Sequence, residues 1–114
     1  MQRYHQLAKD ALVNSTNKEK VFAVLERKGR PVSTAINCYT RSHSRQREYA
    51  RRAGFPCKVY LHAEIAALIK SRCRGDTMYI YRLNRLGELL PSRPCPVCQL
   101  ALNELKIRQV YYES

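Results

Sequence analysis

The spacing of apolar positions changes several times along the chain, and each change marks an element. Tyr4, Leu7, Ala8, Ala11 and Leu12 recur at i, i+3, i+4, i+7 and i+8, one stripe of a helix that ends near Asn14 and Ser15. Val21 to Leu25 is a continuous apolar run, Val-Phe-Ala-Val-Leu, suited to a strand buried on both faces. Lys28-Gly29-Arg30-Pro31 reads as a turn, and Val32 to Cys38 returns as the second strand of a hairpin. A second helix starts near His62, with Ile65, Leu68, Ile69 and Cys73 along one side and Gly75 beyond its end. Thr77 to Leu83 is rich in strand formers. Asn84 to Pro94, with Gly87, Pro91 and Pro94, reads as a loop. A third helix opens at Cys95 with Pro96 in its first turn, a favoured place for proline, and puts Cys95, Cys98, Leu102 and Leu105 on one face. Gln109 to Tyr112 makes a last short strand.

Strands joined through helices are expected to run parallel, whereas the first pair is an antiparallel hairpin, so the sheet is mixed, with about four strands. Helices on both faces make this a three-layer α/β/α domain spanning residues 1–114, its motif-bearing core at 20–112. Residues 40–61 show no clear period and read as a long connecting loop, a length usually reserved for function or mobility. Between Arg41 and Lys58 that loop holds five arginines and one lysine against the single acid Glu48, with Tyr49 and Phe55 among them.

Composition narrows the class. With 45% hydrophobic residues the chain can build a core, and no apolar run approaches the roughly 18 residues of a membrane span. The start, Met1 to Gln6, lacks the apolar stretch of a signal peptide, so a cytosolic location away from membranes is expected. The formal net charge of +12 favours an anionic partner, a nucleotide or a nucleic acid, over a neutral one. Five cysteines, an odd number without an export signal, argue against a disulfide framework. Cys38, Cys57 and Cys73 are read as buried apolar residues. Tyr79, Tyr81, Tyr111 and Tyr112 are read as packing residues, and Tyr39, Tyr49 and Phe55 as flanking the site.

Two short motifs carry the chemistry. His62-Ala63-Glu64 opens the second helix, and Pro94-Cys95-Pro96-Val97-Cys98 opens the third. One imidazole and two thiolates are good zinc ligands, and cysteines three apart in a helical first turn can reach one ion. The positive end of that helix favours the thiolate form. Three protein ligands leave a corner for water, whose pKa zinc can bring to about 7. Glu64, two residues past a ligand, can stand beside that water and pass its proton to a leaving nitrogen. Two other readings compete: a glutaredoxin-type redox pair at Cys95 and Cys98, and a structural zinc closed by His43, Cys57 or Cys73.

His-x-Glu followed by Pro-Cys-x-x-Cys resembles the signature of the zinc-dependent cytidine/deoxycytidylate deaminase-like superfamily. The stretch His62-Ala63-Glu64-Ile65-Ala66-Ala67-Leu68 is similar to its nucleotide and tRNA branches. The resemblance covers about residues 20–112 and implies a cytidine deaminase-like fold. It implies Zn2+ held by His62, Cys95 and Cys98, and Glu64 as the proton shuttle while water attacks C4 of cytosine and ammonia leaves. It further implies that Asn37 bonds the sugar, although Ala35-Ile36-Asn37 departs from the usual Gly-x-Asn, and that the backbone of Ala63 faces the base edge.

The expected function is therefore a zinc-dependent hydrolytic deaminase of cytosine, carried on a phosphorylated pyrimidine nucleoside such as deoxycytidylate. The alternatives are a cytosine or adenine deaminase of single-stranded DNA or RNA, and a non-enzymatic basic nucleic-acid-binding module with structural zinc. Relatives continue into a fifth strand whose direction helps separate these substrate classes, and that marker is not found before Ser114. Arg41, His43, Arg45, Arg47, Arg51 and Arg52 are candidates for phosphate or nucleic-acid contact. A homo-oligomer covering a sheet edge is a further expectation.

Overall fold

A computed structural model describes residues 1–114. Its order is α1 (His5–Leu12), β1 (Lys20–Arg27), β2 (Arg30–Ile36), β3 (Cys38–Ser42), α2 (Ser44–Arg52), β4 (Tyr60–Leu61), α3 (Ala63–Lys70), β5 (Thr77–Leu83), β6 (Leu89–Leu90), α4 (Pro96–Glu104) and β7 (Gln109–Tyr111). No helix is long and apolar enough to cross a membrane.

The apolar run of β1 forms the middle of the main sheet. β1 pairs antiparallel with β2 on one side and β5 on the other, and Phe22 to Leu25 are all at most 3% exposed. Lys28 and Gly29 close the β1–β2 hairpin, both at positive φ (52° and 77°). That conformation matches the right-handed twist of the strands, and glycine enters it without steric cost. β6 and β7 line the far edge of β5, β6 antiparallel and β7 parallel. The sheet is therefore mixed, with four main strands and the two-residue β6. β2 and β5, joined through α3, both run antiparallel to β1 and so parallel to each other.

Strand alternation divides the core in two. Ala23, Leu25, Met78 and Ile80 face a large cluster built with α2, α3 and α4. Phe22, Val24, Tyr81 and Leu83 face Ala8 and Leu12 of α1. These are the three expected layers. Tyr4, just before α1, donates its hydroxyl to Glu26, which is 3% exposed, and Arg3 approaches the same carboxylate at 3.4 Å. Burial, then this hydrogen bond, pushes the Tyr4 phenol up to about 12.

Four expectations change. The segment 40–61 is not a loop throughout: α2 occupies Ser44–Arg52, and β3 pairs with β4 as a separate two-stranded ribbon. Gln46, Tyr49, Ala50 and Ala53 form the helical stripe, and Gln46, a polar residue that is 0% exposed, hides the period. The helix from His62 ends at Lys70 rather than Cys73, because Arg72 and Cys73 take left-handed φ values of 56° and 63°. Gly75 serves close packing: a Cβ there would lie 2.4 Å from Leu25 Cγ. None of Cys38, Cys57 and Cys73 is buried, Cys57 being exposed, and Tyr49 belongs to the core rather than the site.

Candidate metal centre and active-site pocket

His62 is the N-cap of α3 and Cys95 the N-cap of α4, both with extended backbone (φ −78°, ψ 151°; φ −69°, ψ 165°). Pro96 fills the first helical position of α4, where its missing N–H has no partner to lose. Cys98, one turn in, is fully buried. The two helix starts meet at the end of the sheet where β2 and β5 finish, the usual binding edge of α/β sheets. The ligand atoms of His62, Cys95 and Cys98 all lie within 4.8 Å of one another.

The spacing fits zinc. Tetrahedral coordination with Zn–S of about 2.3 Å and Zn–N of about 2.0 Å separates nitrogen from sulfur by about 3.5 Å. His62 Nδ1 lies 3.3 Å from Cys98 Sγ and 3.5 Å from Cys95 Sγ. The opposite ring nitrogen, Nε2, is buried without a protein partner, so the polar contacts of the ring are all on the thiol side. The Cys95 thiol is pulled down to about 3, first by the Cys98 thiol donating to it and also by His62. Cys98 is held up by the same hydrogen bond and by burial. The helix N-termini favour negative charge at these sulfurs. His43, Cys57 and Cys73 do not close a fourth corner. His43 caps α2 by accepting from the Arg45 N–H (3.1 Å), and Cys73 lies against the Arg45 guanidinium (3.3 Å).

Gln46 holds the ligand strand in place. Its Oε1 accepts from the His62 N–H (3.2 Å) and its Nε2 donates to the Lys58 carbonyl (3.0 Å). The Tyr60 ring packs on the His62 ring at 4.8 Å between centroids, and Tyr39 packs on Tyr60 at the same separation. The β3–β4 ribbon thereby delivers an aromatic wall to the metal centre.

A cavity of about 180 Å³ opens beside these ligands. His62, Cys95, Ala63, Glu64 and Asn37 all line it. Glu64 sits in the first turn of α3 at 6% exposure, and burial raises its carboxyl above the ordinary carboxylate range. Asn37 is 5% exposed. Its Oδ1 accepts from Asn17 Nδ2 (3.1 Å) and the Val21 N–H (3.2 Å), while its Nδ2 donates to the Glu19 carbonyl (2.9 Å). One amide hydrogen of Asn37 remains for a ligand.

The cations of this cavity are Lys58, Arg82 and Arg93. None of Arg41, His43, Arg45, Arg47, Arg51 and Arg52, the candidates for phosphate or nucleic-acid contact, lines it. Arg51 pairs with Glu48, Arg52 with Glu104 at 2.6 Å, and Arg47 donates to Ser42 at 3.0 Å. α2 turns its buried stripe to the core and its arginines away from the pocket. Arg82 was legible from alternation, since it follows Ile80 on the same face of β5, and Lys58 closes the basic stretch that begins at Arg41.

A family model for the cytidine and deoxycytidylate deaminase zinc-binding region matches residues 1–114. No curated protein and no solved structure matches the chain. Because the family match runs the length of the chain, the protein belongs to the cytidine and deoxycytidylate deaminase family, with zinc as its metal.

Proposed function

We propose that this chain is a hydrolytic deaminase of a cytosine ring carried on a phosphorylated pyrimidine nucleoside such as deoxycytidylate. The observation that carries the reading is the position of Glu64, a buried carboxyl in the wall of a cavity that His62 and Cys95 also line. His62, Cys95 and Cys98 would hold zinc. Bound zinc supplies the Lewis acidity that makes water nucleophilic near neutral pH. Glu64 takes a proton from that water and returns it to the departing amino nitrogen. Water oxygen joins C4, the C4–N bond breaks, and ammonia and a uracil ring are the products. The raised pKa of Glu64 suits a group that must hold a proton between the two transfers.

The remaining lining fits the same substrate. The Asn37 amide hydrogen left free is available to a sugar hydroxyl. The Ala63 N–H, at the first position of α3, has no intrahelical partner and is available to the ring edge. Lys58, Arg82 and Arg93 supply positive charge for a phosphate. The cavity is smaller than the roughly 300–1,000 Å³ of clefts that enclose whole drug-sized ligands, so the ring enters and the sugar phosphate stays at the mouth.

The test is ammonia release from cytidine, deoxycytidine and their monophosphates by zinc-loaded protein. Glu64→Ala should lower kcat by about 10²–10⁴-fold while zinc content stays the same. Activity that survives this change would overturn the proton-shuttle assignment.

A further inference from the structure

The cavity beside the metal centre adjoins a larger depression. Glu19 and Arg82 line both, and the second encloses about 530 Å³ at the sheet end, where β1 begins and β5 finishes. Of its eleven lining residues only Leu83 and Leu90 are hydrophobic. It presents Lys18, Lys20, Arg82 and Arg85 against one carboxylate, Glu19, which is already paired with Arg82 at 3.4 Å. A third depression shares Lys20 and Arg85 with the second and adds Lys9 of α1. Cations thus continue from the metal centre over the strand ends toward the face covered by α1.

We infer that this basic track holds the phosphates of a single-stranded nucleic acid whose cytosine occupies the cavity. The inference rests on the deaminase reading above and extends it from one nucleotide to a strand. A lone nucleotide with its phosphate at Arg82 would leave Lys18, Lys20, Arg85 and Lys9 without a partner. The second depression contains no aromatic side chain on which a neighbouring base could stack, so its contacts are with the backbone of the strand. Its polar wall is tied to the cavity, because Asn17 bonds both the carbonyl (2.8 Å) and the side-chain oxygen (3.1 Å) of Asn37. Charge complementarity and continuity with a cavity that takes a nucleobase together select a phosphodiester strand over an acidic peptide.

The experiment compares kcat/KM for deoxycytidylate with that for DNA and RNA strands of three and nine nucleotides, each with one cytosine. The strand-to-mononucleotide ratio should exceed ten and rise with length, and whichever sugar is preferred identifies the strand. In a Lys18→Gln/Lys20→Gln/Arg85→Gln variant with native circular dichroism, that ratio should fall at least tenfold. In parallel, fluorescence anisotropy with Glu64→Ala protein and labelled strands reads the salt dependence of binding. Each neutralised phosphate adds about 0.7 to the slope of log K against log salt, so losing three cations should lower it by about 2. A ratio near one, or the same salt slope in the variant, overturns the track. Absence of deamination with every cytosine substrate refutes the deaminase reading instead, and the anisotropy arm then still decides the track.

Discussion

Gln46 offers the most informative perturbation, because it touches the metal centre without donating an atom to it. Its amide is 0% exposed and its two hydrogen bonds reach the His62 N–H and the Lys58 carbonyl. Gln46→Met keeps nearly the same volume and removes both bonds. An unpaired buried polar group costs about 1–3 kcal/mol, and both partners here are only part-buried, so a total near 2 kcal/mol is expected. For a domain of this size that is about 8 °C in Tm, at about 4 °C per kcal/mol. Groups that orient metal ligands typically carry about 10–100-fold in metal affinity, so zinc should bind at least tenfold more weakly. The control is Val24→Ala, a fully buried site on the α1 side of the sheet, which should lower Tm without changing zinc affinity. Competition with a chromophoric chelator, at a temperature where both variants are folded, measures the affinities. Equal zinc affinity in the two variants would refute the positioning role and reduce Gln46 to a packing residue.

Other outcomes follow from the same geometry. Cys98→Ser removes a buried ligand, and most of the Tm gained on adding zinc to wild type should vanish; for scale, a metal at 100 times its Kd stabilises by about 2.7 kcal/mol. Chelating zinc from wild type should reproduce that Tm, checked by differential scanning fluorimetry. Tyr4→Phe removes the hydroxyl that bonds the buried Glu26 and should destabilise by about 1.5–3 kcal/mol near neutral pH. The folded-state pKa of Tyr4 is raised, so its contribution is full below pH 10 and is lost as pH rises through about 12. Denaturant melts of the two proteins should therefore converge across that window.

The metal centre was the most legible part of the chain. His62, Cys95 and Cys98 were assigned from residue type and spacing, and both motifs open helices, so local structure alone carries the ligand atoms to one end of the sheet. The β1 run and the Lys28–Gly29 turn were equally readable, since neither depends on distant residues. α2 was not readable, because its inward stripe includes Gln46, a polar residue made acceptable in the core by two hydrogen bonds to residues 12 and 16 positions away. That the arginines of 41–52 stay out of the cavity wall was unreadable for a related reason. Their density marked a basic segment, but the direction of each side chain depends on which face of α2 is buried. The cavity instead draws its cations from three separate places, Lys58, Arg82 and Arg93, which only the folded chain brings together.

The lone helix on the far side of the sheet has a practical consequence. Ala8 and Leu12, with Tyr4 ahead of them, roof over Phe22, Val24, Tyr81 and Leu83, whereas three helices share the opposite face. Proteolytic trimming or a bulky fusion that pulls the first fifteen residues away would strip this roof and leave a sticky apolar sheet open to water. Aggregation during purification would then reflect damage at the N-terminus, even in protein whose zinc ligands are untouched.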